Sequence, residues 1–86
     1  MSRVTVYSTA SCQICVRAKS ILSKWKIDYS EVCIDTDEHA LEAFRKATQG
    51  ARTVPQIIID GNLIGGFSEL TEMHMDGELN QLMKQD

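Results

Sequence analysis

Cys12-Gln13-Ile14-Cys15 is the part of this chain whose residue types and spacing speak most directly of chemistry. Two cysteines three apart at the start of a helix face each other within disulfide reach. A thiol at a helix N-terminus also sits over unpaired backbone N–H groups and the positive end of the helix dipole, which stabilise negative charge. Such placement lowers a thiol pKa from about 8.5 to roughly 3.5–7.5. Cys12 is then a thiolate at neutral pH and attacks disulfides, while Cys15, one turn further in, stays protonated longer and resolves the mixed disulfide. The competing chemistry is half of a zinc site. Zinc needs four ligands, and beyond the pair the chain offers Cys33, His39 and His74. No second C-x-x-C and no H-x-x-x-H completes the set, so redox chemistry is the preferred reading.

Two further segments carry chemical potential. Thr53-Val54-Pro55 contains the only proline. A proline opening a strand needs no further reason than its missing ladder donor. A cis Val54–Pro55 bond would instead turn the Val54 backbone outward, where it can pair with an extended peptide. Only about 5–6% of X–Pro bonds in folded proteins are cis, so these residues by themselves favour trans. In Gly65-Gly66-Phe67-Ser68-Glu69 the glycines allow close backbone approach, and Ser68 opens a helix whose N-terminus suits a carboxylate. Read alone, it is also an ordinary strand-to-helix turn.

The elements that must position these residues follow from periodicity. Arg3 to Tyr7 alternates polar with β-branched or aromatic residues and predicts a strand. Ser8-Thr9-Ala10-Ser11 breaks it. Ile14, Ala18, Ile21, Leu22 and Trp25 then form a helical apolar stripe, with Ser11 as the N-cap at the Ser11-Cys12 boundary and Trp25 in the core. Arg17 and Lys19 belong to a solvated face. A second strand spans Tyr29 to Ile34 and buries Cys33 as a small apolar side chain. Asp35 and Glu38 have capping-box spacing ahead of a helix with Ala40, Leu41, Phe44 and Thr48 on one face, His39 at its solvated start and Gly50 at its end. Gln56-Ile57-Ile58-Ile59, the Asp60-Gly61 turn and Asn62-Leu63-Ile64-Gly65 make a hairpin. Ser68 caps a last helical region through Leu70, Met73, Leu79, Leu82 and Met83, interrupted at Asp76-Gly77, in which Met73 and Met75 are core filler around His74. The order β-α-β-α-β-β-α makes the first two strands parallel and the last two antiparallel. The fold class is α/β, a mixed sheet flanked by helices.

The 86 residues, 43% hydrophobic and 24% charged, suit one domain spanning 1–86. A net charge of -3 without a Lys/Arg run argues against nucleic-acid binding. The N-terminus has no apolar stretch fit for a signal peptide, and no segment approaches a membrane span, so a cytoplasmic location is expected. Three cysteines are an odd number and unsuited to a disulfide framework. In a reducing compartment a close pair is catalytic or metal-binding.

In matching order and spacing, Cys12-Gln13-Ile14-Cys15 after a first strand, Gly50-Ala51-Arg52-Thr53-Val54-Pro55 and Gly65-Gly66-Phe67-Ser68-Glu69-Leu70 make the chain resemble the glutaredoxin family over nearly its whole length. The resemblance implies a thioredoxin-like fold with a four-stranded mixed β-sheet, and a cis Val54–Pro55 bond against the general preference. It implies a glutathione-dependent thiol–disulfide oxidoreductase with Cys12 and Cys15 catalytic. Glutathione would be a co-substrate, with no permanently bound cofactor. It would lie along Cys12, Ile14, Thr53, Val54, Pro55, Gly66, Phe67 and Ser68. Its sulfur would meet Cys12, its backbone Val54, and its γ-glutamyl carboxylate the Gly66–Ser68 helix start. Partners would be disulfide or glutathionylated proteins and, through the glutathione pool, glutathione reductase. The chain would act as a monomer, away from membranes. Gln13 and Ile14 replace the Pro and Tyr usual in the family motif, and Thr9 stands where a Lys is common. Arg45, Lys46 and Arg52 are the cations left to meet the glycine carboxylate. The missing proline motivates an alternative, an iron–sulfur carrier in which two chains bridge one cluster through Cys12 and glutathione. A structural thiol adaptor without turnover is a third possibility.

Overall fold

The computed structural model describes residues 3–79 and 81. In chain order its elements are β1 (Val4–Ser8), α1 (Gln13–Lys24), β2 (Tyr29–Cys33), α2 (Glu38–Thr48), β3 (Gln56–Ile59), β4 (Asn62–Gly65) and α3 (Phe67–Met75). The strands form one four-stranded sheet in the order β2-β1-β3-β4. β1 runs parallel to β2, with Val4 opposite Tyr29 and Ser8 opposite Cys33. It is antiparallel to β3, which pairs antiparallel with β4. The β3–β4 turn places Asp60 at φ 53° and Gly61 at φ 82°. Two left-handed residues in succession give the turn whose twist matches that of the flanking strands. Chemistry concentrates where β1 meets α1, at the carboxyl end of a central strand.

Alternation along β1 buries Val4, Val6 and Ser8. The two valines join Ile57 and Ile59 of β3 under Ala18 and Leu22 of α1, Leu70 of α3 and Leu79. On the other sheet face Tyr7 meets Phe44 of α2 edge-on, with ring centroids 5.6 Å apart. Helices thus cover both faces. The helical region resumes after the Asp76-Gly77 turn; the expected core positions Leu82 and Met83 lie outside the described residues.

Several expected packing positions move. The buried stripe of α1 is Cys15, Ala18 and Leu22, whereas Ile14 is 50% exposed and Trp25 43%. Turning Cys15 into the core rotates Ile14 outward. Trp25 is the C-cap residue beyond the last turn; its indole Nε1–H donates to His74 Nδ1 at 2.8 Å, bracing α1 against α3 from outside the core. Asp37, not Asp35, caps α2, accepting from the His39 N–H at 2.7 Å. Gln49 takes the left-handed conformation (φ 57°) that ends α2, with Gly50 following at φ 87°. Met73 packs against the core, but Met75 is 78% exposed and fills nothing.

Lys19 is not merely solvated. Its Nζ pairs with Glu31 Oε2 at 2.7 Å, and the same oxygen accepts from the buried Ser8 hydroxyl at 2.7 Å. Lys19, and after it Ser8, hold the Glu31 carboxyl below its ordinary value near 4.5. A carboxyl whose pKa falls on folding contributes stability above its unfolded value, and that stability is lost as pH falls through the folded one. Glu31→Gln should therefore lose the part of the acid dependence below about pH 4.5. Urea midpoints measured across that range should fall less steeply in the variant than in the parent; parallel slopes would contradict the assignment.

Candidate active site

The chain leaves β1 at Ser8, makes a turn in which the Cys12 N–H donates to the Thr9 carbonyl at 3.4 Å, and enters α1. The residue at the cap is Cys12, with extended φ −88° and ψ 108°, so the helix begins one residue later than a Ser11 cap would place it. A helix end prefers a side-chain acceptor at this position to satisfy its orphan donors. Here sulfur serves: Cys12 Sγ accepts from the Cys15 N–H at 3.0 Å. The site thus aims a backbone donor at the atom on which negative charge must be stabilised.

Cys12 is half-buried and Cys15 only 1% exposed. The two are joined in a disulfide with their Cα atoms 5.2 Å apart, inside the range such bonds need. An outer sulfur that reagents can reach and an inner one that they cannot is the geometry of attack followed by internal resolution.

Two loops converge on Cys12 from across the sheet. The Val54–Pro55 bond is cis, and the Val54 carbonyl oxygen lies 3.8 Å from Cys12 Sγ. Gln56 holds this loop from within: 7% exposed, it donates Nε2–H to the Thr53 carbonyl at 3.1 Å and to Thr53 Oγ1 at 3.3 Å. The glycine loop then comes in beneath, so close that a Cβ on Gly66 would stand 3.3 Å from the Pro55 carbonyl oxygen. A methyl on Gly65, at φ 124°, would meet Glu69 Oε1 at 2.6 Å. Only glycine fits there.

Between these loops runs an open groove of about 280 Å³. Ile14 forms one wall, Thr53, Val54 and Pro55 another, and Gly66, Phe67 and Ser68 the third. Seven of the expected ligand-contacting residues are therefore brought to one cleft, and Cys12 Sγ stands by its Val54 edge. Gln56 and Glu69 also line it, and sequence reasoning missed both. Glu69 had a signal, since it stands three residues after the N-cap of α3. That cap is Gly66 and not Ser68; the Glu69 carboxylate accepts from the Gly66 N–H at 2.6 Å, the return half of a capping box. Ser68 is exposed in the first turn. Gln56 had none, because its inward turn depends on the conformation at Pro55.

Of the candidate cations, Arg45 and Arg52 share a second groove of about 440 Å³ with Gly50 and Ala51. Lys46 pairs with Glu42 across one turn of α2 at 3.5 Å.

Cys33 is half-buried and not enclosed as an apolar filler. It ends β2 at the sheet's open end, and its Sγ–H donates to Asp35 Oδ1 at 2.7 Å. That bond pushes the Cys33 thiol above its ordinary value and, with the Ala10 N–H on the other oxygen, holds the Asp35 carboxyl below its own. Cys33 thus holds its proton more firmly than an ordinary thiol does. Among the described residues no group of three or more His, Cys, Asp or Glu side chains gathers to hold a metal.

The glutaredoxin family model matches residues 4–64, which contain the cysteine pair and the Pro55 loop. The chain is 38% identical over 84 residues to a glutaredoxin of Pseudomonas aeruginosa, covering 96% of this chain and 98% of the relative. It is 37% identical over 82 residues to glutaredoxin 1 of Rickettsia typhi, covering 94% and 79% respectively. Among solved structures, a buckwheat glutaredoxin–glutathione complex superposes with a TM-score of 0.85 at 29% identity, over 98% of this chain and 78% of that one.

Proposed function

Since the chain belongs to the glutaredoxin family and is a thiol–disulfide oxidoreductase, we propose that glutathione is the thiol that drives it and that glutathionylated and disulfide-bonded proteins are its substrates. The observation that carries this reading is the Cys15 N–H aimed at Cys12 Sγ beside a peptide-sized groove that ends in a helix N-terminus.

In the reduced protein the Cys12 thiolate attacks one sulfur of the substrate disulfide. An S–S bond forms to Cys12, the substrate bond breaks, and the departing thiolate takes a proton from solvent. When the departing group is a protein thiol, glutathione stays on Cys12, and a second glutathione thiolate attacks the glutathione sulfur, leaving oxidised glutathione and free Cys12. When the substrate is a protein disulfide, Cys15 loses its proton and attacks Cys12 Sγ, closing the disulfide seen here; two glutathione molecules then reopen it. The electron pair passes from glutathione to substrate throughout, and the chain returns unchanged.

The groove supports recognition of the tripeptide by its shape and donors. An extended peptide laid along Thr53–Pro55 can pair with the Val54 backbone, Ile14 and Phe67 give apolar walls, and the first turn of α3 offers N–H groups to a carboxylate. The family resemblance of Gly65–Leu70 and the glutathione named with the buckwheat structure lend support. The Cys12–Cys15 disulfide favours dithiol exchange over the iron–sulfur carrier, which would commit Cys12 Sγ to iron.

Turnover of a glutathionylated peptide, compared with the same peptide held in mixed disulfide with cysteinylglycine and with glutathione as the reductant in both, tests the assignment. The dipeptide lacks the γ-glutamyl group, so the rate should fall by at least roughly tenfold, the worth of one charge-assisted contact. Equal rates would refute glutathione recognition while leaving thiol exchange intact.

A further inference from the structure

Asp35 lies outside the groove and takes no part in the chemistry above, yet its carboxylate joins the turn after β1 to the end of β2. Oδ2 accepts from the Ala10 N–H at 3.2 Å, and Oδ1 accepts from Cys33 Sγ–H at 2.7 Å. Ala10 sits in the middle of the turn between β1 and α1, two residues before Cys12. Its neighbour Thr9 supplies the carbonyl that accepts from the Cys12 N–H. The other end of the clamp is firm. Ile34 N–H donates to the Ser8 carbonyl at 2.9 Å, Thr36 Oγ1–H donates to the Cys33 carbonyl at 3.1 Å, and Ser8 and Cys33 are register partners in the sheet.

We propose that Asp35 is a positioning residue for the attacking sulfur: its carboxylate clamps the Thr9–Ser11 turn to the end of β2 and so sets Cys12 Sγ in line with the opening N–H groups of α1. The turn needs such a clamp because its own bond, Cys12 N–H to Thr9, is long at 3.4 Å. Ala10 and Ser11 are both exposed. The stabilisation of a thiolate by a helix start falls off within one turn and depends on alignment, so slack in this turn is felt as a weaker acid at Cys12.

The inference rests on Cys12 being the attacking thiol and is independent of glutathione. Its test is the pH dependence of iodoacetamide alkylation of Cys12 in the reduced full-length protein, in a Cys33→Ala background so that no third thiol reacts. Cys33→Ala leaves the Ala10 bond in place and should retain the parent midpoint. Asp35→Ala removes the acceptor for Ala10 and should raise the Cys12 midpoint by about half to one pH unit, the size of a helix-terminus contribution. Asp35→Asn keeps a carbonyl oxygen for the Ala10 N–H and should restore most of the shift. Loss of overall stability would not move the midpoint of the folded protein, which separates positioning from a general structural role. If neither variant moves the midpoint, or if both lower it by removing a negative charge, the positioning role is wrong. If the parent itself titrates like a free thiol, the fault lies with Cys12 as nucleophile and not with Asp35.

Discussion

Cys12→Ser should bring turnover of both glutathionylated peptides and protein disulfides down to the uncatalysed rate, a loss of roughly a thousandfold or more. A hydroxyl at the same cap position still accepts from the Cys15 N–H, so the fold survives. At neutral pH the oxygen remains protonated and is no nucleophile towards sulfur. Cys15→Ser should divide the two activities. Cys15 is enclosed, 1% exposed, and in the proposed mechanism it attacks Cys12 Sγ from inside after a protein disulfide has been opened. Without it that mixed disulfide persists, while exchange on a glutathionylated substrate needs only Cys12 and a second external thiol and should stay within about threefold of the parent. Steady-state assays on the two substrate types, with mass spectrometry of the trapped adduct, read both effects. Turnover surviving in Cys12→Ser would remove the proposed mechanism altogether.

A large loss of stability should come from Leu70→Ala. Leu70 is fully buried and lies in the core cluster that joins α1, α3 and the inner face of the sheet. Removing a side chain of this size from a close-packed interior costs its transfer free energy and the cavity left behind, about 2–5 kcal/mol. In a domain of this length each kcal/mol moves the thermal midpoint by about 4–8 °C, so a fall of at least about 10 °C is expected by far-UV circular dichroism. Met75→Ala, on the same helix but 78% exposed, should stay within about 0.5 kcal/mol of the parent. Because α3 begins at the groove with Gly66 as its cap, loosening Leu70 should also raise KM for glutathione at temperatures where the variant is still folded. A Leu70→Ala protein as stable as Met75→Ala would show that the helix is held by other means.

Much of the architecture was legible because it rests on short-range physics. The hairpin Gln56–Gly65 appears at its expected boundaries, since Asp60-Gly61 specifies a left-handed turn between two β-rich runs. The parallel pairing of β1 with β2 follows from the helix between them. Where the reading slipped, a neighbour remote in sequence had intervened. Trp25 fits the period of an apolar stripe but leaves the core for His74, 49 residues away. Cys33 looked like filler until Asp35 engaged its thiol. Ser68 has the favoured cap chemistry, yet the chain turns at Gly66 because the loop must pass close to the Pro55 carbonyl, and only a residue without a Cβ makes that approach freely.

The linear chain by itself determined which atoms can react and in what local setting: a cysteine pair at the start of a helix, a lone proline before a strand, paired glycines before another helix. These are matters of spacing and backbone preference over a few residues. Tertiary structure alone decided that the three segments share one cleft, that Val54 faces the Cys12 sulfur, and that Gln56, Glu69 and Asp35 support the loops around it. The reason is physical: hydrogen bonds and packing between segments tens of residues apart exist only once the sheet has brought them together.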